Sequence, residues 1–351
     1  MRENALPEAA PALRNIAGQS VLVTGASGFI GGHLVRRLTA RGCRVSCLVR
    51  ASSQVDELKA AGADSVTCDI ADRSGIAHAI AAAGVRVVFH LAGLTRAMNL
   101  RDFMRVNAAG VEAVAQACTH QADPPVLVLV SSLAASGPSG DYAAVERDPP
   151  MPISNYGRSK FAGEEVARSY ADRLPITIVR PGIVFGAEDR GMVEVFRPIA
   201  RFGLHVVGGS GKHRVSLVAV TDLVEGIVLA AESGERLRPG VPGEGIYFVA
   251  AQDLSHIELG REIADALGKP PPRILRLPGW SMHAMGLLGD ATSRIRGRPG
   301  WIGRDKIREI LAGAWTCSSE KARQQLGWSP AAALADRLRE TAQWYRAAHW
   351  L

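Results

Sequence analysis

Ser20-Val21-Leu22-Val23-Thr24-Gly25-Ala26-Ser27-Gly28-Phe29-Ile30-Gly31 carries a short β-branched apolar run straight into three glycines set three apart. Residues 29–41 continue with helical spacing, so the glycines sit where a strand turns into a helix. A turn that holds the diphosphate of a dinucleotide needs one glycine for the tight bend and a second for close backbone approach. A third lets the helix pack near the strand, and the helix N-terminus then faces the phosphates. Gly25, Gly28 and Gly31 fit those tasks, with Thr24, Ser27, Phe29 and Ile30 completing the loop. Glycine-rich turns are common; the placement between strand and helix is what makes this one informative.

Outward from that loop, apolar runs alternate with helical patterns. Residues 44–50, 65–68, 85–91, 126–131 and 176–180 read as further strands, and 106–120 and 155–174 as helices. Several of these strands are apolar on both faces, which implies an α/β, doubly wound parallel sheet with helices on each side. Beyond Pro181 the pattern loosens into glycines, prolines and short helices. The expected organisation is a flexible leader over 1–18 and a dinucleotide-binding Rossmann domain over 19–182, which residues 215–232 rejoin. Residues 183–214 and 233–351 then form a smaller C-terminal substrate-binding domain.

Composition narrows the function classes. The 351 residues are 47% hydrophobic, 21% charged and 5% aromatic, which excludes wholesale disorder and allows two domains. No run approaches the roughly 18 apolar residues of a membrane helix, so no integral span is expected. The first eighteen residues lack a basic head followed by an apolar stretch, so a cytoplasmic chain is expected. The net charge is +7, yet only six of the 41 basic residues are Lys and the Arg form no tract, which argues against a nucleic-acid partner. The five cysteines, Cys43, Cys47, Cys68, Cys118 and Cys317, have no metal-ligand spacing, so neither a disulfide framework nor a metal site is expected.

The end of the second strand bears on the choice of dinucleotide. A carboxylate there accepts from the ribose 2′-hydroxyl of NAD(H), whereas a 2′-phosphate favours arginine. Here the segment reads Leu48-Val49-Arg50-Ala51-Ser52, with no acid before Asp56. The reading is NADP(H), with NAD(H) as the alternative in which Arg50 is simply a solvated charge. Asp69, with Ile70 beside it, follows the third strand and either accepts from the adenine amine or caps a turn.

Tyr156-Gly157-Arg158-Ser159-Lys160 opens the helix after the fifth strand, and the i, i+4 spacing puts phenol and ammonium on one helical face. Free tyrosine titrates near 10, and a neighbouring ammonium favours the phenolate and lowers that value. Ser132, at the end of strand five, offers a hydroxyl to orient a substrate oxygen, with strand termination as its ordinary role. Ser131 is its rival.

With these parts in order the chain resembles the extended short-chain dehydrogenase/reductase superfamily. The likeness runs through TGASGFIG at 24–31, FHLAG at 89–93 and the Val106-Asn107 helix. It continues through VSS at 130–132, NYGRSK at 155–160 and RPGIVFG at 180–186. The resemblance implies a seven-stranded Rossmann sheet with a smaller C-terminal substrate domain. It implies Tyr156 as acid/base, Lys160 as its activator and holder of the nicotinamide ribose, and Ser132 as clamp on the substrate oxygen. Asn107 would hold a helix distortion and a water of the proton relay. Leu91, Ala92 and Gly93 would line the cofactor, and Pro181, Gly182 and Ile183 would pass beside the nicotinamide. The spacing to Gly137 favours Ser132 over Ser131, and a homodimer through the helices at 106–120 and 155–174 is the implied assembly.

Departures from the family's other branches narrow the chemistry. Sugar-nucleotide 4,6-dehydratases carry an Asp-Glu pair after the Ser/Thr, but Ser132 is followed by Leu133-Ala134-Ala135. Nucleotide-sugar epimerases show a segment whose Arg grips a diphosphate; here Val215–Leu223 has Ala219 at its histidine position, and Arg214 falls one residue early. These shifts resemble the branch of 3β-hydroxysteroid dehydrogenases and dihydroflavonol reductases. The expected reaction is therefore interconversion of a ketone and a secondary alcohol on a bulky, apolar small molecule. A nucleotide-sugar epimerase using the same Tyr156 and Lys160 is the alternative. Residues 277–288 read as a short apolar helix with Trp280, Met282, Met285 and Leu288. It either packs on the core, lids an apolar ligand or rests on a membrane surface.

Overall fold

The computed structural model describes residues 15–351. Strand β1 (Ser20–Thr24) feeds helix α1 (Phe29–Ala40), followed by β2 (Arg44–Val49), α2 (Asp56–Ala60), β3 (Asp64–Thr67), α3 (Arg73–Ala83) and β4 (Val87–His90). Next come α4 (Leu100–Asn107), α5 (Ala109–Thr119), β5 (Val126–Val130), α6 (Asn155–Arg168) and β6 (Ile176–Pro181). The chain continues through β7 (Ile183–Phe185), α7 (Val193–Phe202), β8 (Leu204–Gly208), β9 (Arg214–Ala219) and α8 (Val220–Ser233). Then follow β10 (Ile246–Val249), β11 (Gln252–Ser255), α9 (His256–Ala266) and β12 (Arg273–Leu277). Helices α10 (Gly279–Arg296), α11 (Arg304–Leu311), α12 (Glu320–Leu326) and α13 (Leu334–Ala347) complete it.

Seven strands pair in parallel in the order β10-β6-β5-β4-β1-β2-β3. Strand alternation divides the core in two. Val21 and Val23 of β1 join Val126, Val128 and Val130 of β5 under α1 and α8, while Leu22, Leu127 and Leu129 point to the other face, under α3 and α5. Every residue of β1 and β5 is buried, as a sheet covered on both sides requires. The strand order reverses between β1 and β4, which opens a crevice at their carboxyl ends, where the glycine loop lies. No described helix is long and apolar enough to cross a membrane.

Several elements depart from the sequence reading. Residues 106–120 read as one helix, but the chain breaks at Ala108 (φ −113°, ψ −56°) into α4 and α5. Helix α6 ends at Arg168, with turns rather than helix up to residue 174. Of 215–232, helix α8 packs on the large sheet, whereas β9 lies between β11 and β7 in a separate three-stranded sheet. Residues 246–249, grouped above with the substrate-binding part, form the edge of the seven-stranded sheet. Their run Ile-Tyr-Phe-Val is fully buried, beside β6. Of the expected leader, residues 1–14 lie outside the described residues, while Ile16 is fully buried in the core beneath α1 and its N–H donates to Glu232 at 2.9 Å.

Candidate active site

The glycine loop is a cradle that side chains would fill. Gly25 holds φ +71°, and a Cβ there would come within 2.7 Å of the Ala92 nitrogen. A Cβ on Gly31 would collide with the Gly25 carbonyl oxygen, so α1 can start this close to β1 only with glycine. The first turn of α1 has neither a side-chain cap nor an acidic residue, which leaves its N–H groups for an anion. This backbone fits a dinucleotide diphosphate, which Gly25 to Gly31 would hold.

From the loop a continuous cavity of about 1820 Å3 runs between the sheet and the C-terminal helices. Its wall brings together Gly25, Ser27, Gly28, Phe29, Ile30 and Gly31 with Leu91 and Gly93. Ser132, Tyr156, Lys160, Pro181, Gly182 and Ile183 share the same wall. The other expected residues lie off the wall for physical reasons. The Thr24 hydroxyl is held by His90 Nδ1 at 2.7 Å and accepts the Ala92 N–H at 3.2 Å, so it ties β1 to β4. Asp69 Oδ1 accepts the Ala71 N–H at 2.9 Å, the turn-capping role. Ile70 packs towards Gly110, where a Cβ would lie 3.3 Å from its side chain. Arg50 is exposed just past β2, with no carboxylate partner among the described residues.

Helix α6 presents Tyr156 and Lys160 through a strongly satisfied start. Buried Ser154 caps it, its hydroxyl accepting the Gly157 N–H at 2.9 Å. The Asp305 carboxylate, from α11, accepts the N–H of Asn155 at 2.8 Å and of Tyr156 at 3.3 Å. A side chain at Gly157 would strike the Ala134 carbonyl, so glycine there lets α6 close onto the turn that begins at Ser132. Ser132 Oγ accepts the Ala134 N–H at 3.1 Å.

Lys160 is buried, and its Nζ donates to the Val130 carbonyl at 2.7 Å. Burial lowers its pKa to about 8, against the pull of the Glu164 carboxylate. The Tyr156 phenol is pushed up to about 12 by burial, opposed by Ser132 and reinforced by the charge of Glu309. The spacing led us to expect Lys160 to lower Tyr156. In the protein by itself burial pushes the phenol the other way and Ser132, not Lys160, is what opposes it, so the phenol stays protonated across the physiological range, a form suited to giving a proton.

Asn107 sits below the wall, at the break between α4 and α5. Its side-chain amide donates to the Leu94 carbonyl at 3.0 Å and to Ser159 Oγ at 2.9 Å, while its oxygen accepts the Leu94 N–H at 2.7 Å. Gly93 leaves room beside it: a Cβ would stand 3.1 Å from Asn107 Oδ1 and 3.8 Å from Lys160 Nζ.

Sequence reasoning missed three features. Arg180 and Glu164, both fully buried, pair through Nε–Oε1 at 2.9 Å and Nη2–Oε2 at 2.5 Å, and Glu164 also accepts from Ser131. Ser131 is thereby committed, which separates it from its neighbour Ser132. The available signal was an arginine inside the apolar run of β6. Arg96 stacks over Trp301 at 3.6 Å on the cavity wall. Glu309 also lines the cavity; Lys306 Nζ donates to its Oε2 at 2.9 Å, but its buried Oε1 has no partner among the described residues. Neither of these last two had a local signal.

Fold and cavity together define a nicotinamide-dependent oxidoreductase built on a Rossmann sheet. The chain belongs to the NAD dependent epimerase/dehydratase family, whose model matches residues 21–244. It is 34% identical to "Ceramide reductase" of Caulobacter vibrioides, over 94% of this chain and 96% of that one. It is 27% identical to "4-hydroxy-2-methyl-3-oxo-4-farnesyl-3,4-dihydroquinoline-1-oxide ketoreductase" of Stigmatella aurantiaca, over 88% of this chain and 91% of that one. Among solved structures it is similar to UDP-glucose 4-epimerase of Thermus thermophilus in complex with NAD. That likeness has a TM-score of 0.74 and 26% identity, covering 94% of this chain and all of the other.

Proposed function

We propose that the protein is an NADP(H)-preferring oxidoreductase that interconverts a ketone and a secondary alcohol on a bulky, apolar small molecule. The carrying observation is the shared wall of Ser132, Tyr156 and Lys160 in a cavity whose farther walls include Met282, Met285 and Trp301. When bound, the nicotinamide supplies or accepts the hydride. Tyr156 gives the proton to the ketone oxygen, Ser132 and Tyr156 hold that oxygen by hydrogen bonds, and Lys160 carries positive charge beside them. Asn107 orders the proton path behind Lys160. The absence of an acid after Ser132, where Leu133, Ala134 and Ala135 are all buried, argues against dehydration.

The reductase names of two relatives support this reading. Glu309, whose Oε1 is buried without a partner among the described residues, adds a detail: its charge helps to keep the Tyr156 phenol protonated, the form that gives the proton. For the cofactor, Arg50 supports NADP(H), while Asp56 and Glu57 on the cavity wall are what favours NAD(H). A homodimer through α5 and α6 completes the reading.

The alternative, a nucleotide-sugar epimerase, draws on the cationic Arg304, Lys306 and Arg308 of the cavity wall. Each of these is matched by an acid: Asp290 at 2.6 Å, Glu309 at 2.9 Å and Asp305 at 3.4 Å. Arg214 faces Glu258 at 3.2 Å and is exposed. Of the other wall cations, Arg36 pairs with Glu188 at 2.9 Å, and Arg96 and Arg190 lie over Trp301 and Trp350. Lys160 apart, this leaves Arg294 as the wall cation without such a partner among the described residues and favours the ketone reading. The test is Tyr156→Phe, assayed by nicotinamide consumption against long-chain ketones. Turnover should vanish while cofactor binding persists; retained turnover overturns the proposal.

A further inference from the structure

Helix α10 turns an apolar stripe outward. At about 100° per residue, Trp280, Ala284, Leu287, Leu288, Ala291 and Ile295 fall within an arc of about 100° on one side. All six are exposed, with Trp280 at 75%, Leu288 at 67% and Ile295 at 85%. The opposite side, which packs on the protein, buries Met282 and is otherwise made of small residues. A side chain at Gly289 would hit the Ile302 carbonyl, and a Cβ at Gly286 would lie 3.1 Å from Ile307. A helix that only closed the cavity would bury its large apolar residues and expose its polar ones.

The segment that carries the stripe is strongly basic. Between residues 273 and 298 the chain has five arginines, Arg273, Arg276, Arg294, Arg296 and Arg298, and one acid, Asp290. All five arginines are exposed and none pairs with a carboxylate among the described residues, while Asp290 is taken by Arg304. An apolar stripe with an exposed tryptophan, flanked by unpaired arginines, matches the surface of an anionic bilayer.

We propose that α10 docks the protein on anionic membrane surfaces, with Trp280, Leu288 and Ile295 in the acyl–headgroup boundary and the arginines on lipid phosphates. The same helix contributes Met282, Met285 and Arg294 to the cavity wall, so docking sets the cavity against the bilayer, where an apolar substrate is concentrated. The docking does not depend on the ketone reading, because vesicle binding is measured without turnover.

The test is cosedimentation of the full chain with equimolar phosphatidylglycerol–phosphatidylcholine vesicles and with phosphatidylcholine alone, at low and high salt. Binding should require the anionic lipid and weaken with salt. Reversal of three charges, Arg294→Glu with Arg296→Glu and Arg298→Glu, should weaken it about hundredfold or more. Leu288→Ser with Ile295→Ser, surface changes that leave the packed side of α10 intact, should abolish it. Absence of binding to anionic vesicles, or binding indifferent to both variant sets, overturns the proposal. So does a serine variant that turns a dimer into a monomer while vesicle binding stays unchanged, since a second copy would then cover the stripe.

Discussion

The carboxylate of Asp305 accepts the backbone N–H of Tyr156 at 3.3 Å, across 149 residues of sequence. Helix α11 thus supplies the negative charge that the start of α6 favours, and the C-terminal part fixes the turn that carries the phenol. Asp305→Ala should cost about 0.5–2 kcal/mol of stability, the usual loss of a cap. It should also lower kcat with little change in cofactor KM. Asp305→Asn, whose amide oxygen still accepts, should recover most of kcat. Melting curves and steady-state kinetics on the two variants check this; equal kcat for both would refute a positioning role.

Lys160 sets an alkaline limb. Its pKa is lowered to about 8, so the ammonium is present below that pH and lost above it, while Tyr156 at about 12 stays protonated. For ketone reduction, kcat/KM for the cofactor, which reports the free enzyme, should be level below pH 8 and fall above it. A profile flat to pH 10 would contradict the assignment.

Arg50 should discriminate between the two dinucleotides. Removing a charge-assisted contact to the 2′-phosphate by Arg50→Ala should raise KM for NADPH about 10- to 100-fold and leave NADH nearly unchanged. Equal effects on both cofactors would assign Arg50 to the solvent.

Glu164 and Arg180 form a buried pair, and Glu164→Gln removes the charge that compensates the guanidinium. The expected loss is about 3–5 kcal/mol in urea unfolding. A loss below about 1 kcal/mol would mean that Ser136, which accepts from Arg180 at 3.0 Å, and water compensate it instead.

The glycine loop and the Tyr156–Lys160 spacing were legible because local geometry specifies them: a bend that excludes Cβ, and a helical period that aligns two side chains. The strands of the large sheet were legible where both faces are apolar, as in 126–130. The break at Ala108 was legible only through the resemblance, which implied a helix distortion held by Asn107; the helical period of 106–120 gave no sign of it, because the Asn107 amide bonds to Leu94 in another segment. Asp305 and Glu309 were not legible either. Their roles arise from a contact made about 150 residues away, and in sequence they look like ordinary members of a charged helix. Helix α10 read as a short apolar segment, but which side of it faces solvent depends on the backbone of Ile302 beneath it.

The central claim, a nicotinamide oxidoreductase that turns over a ketone with exchangeable cofactor, is tested most directly by the nucleotide that accompanies the purified protein. Denaturation, mass spectrometry of the released dinucleotide, and its stoichiometry and exchange give the answer. Substoichiometric, readily exchanged NADP(H) is the predicted result. Near-stoichiometric NAD that survives dialysis would contradict it, pointing to an enzyme that returns the hydride to its own substrate.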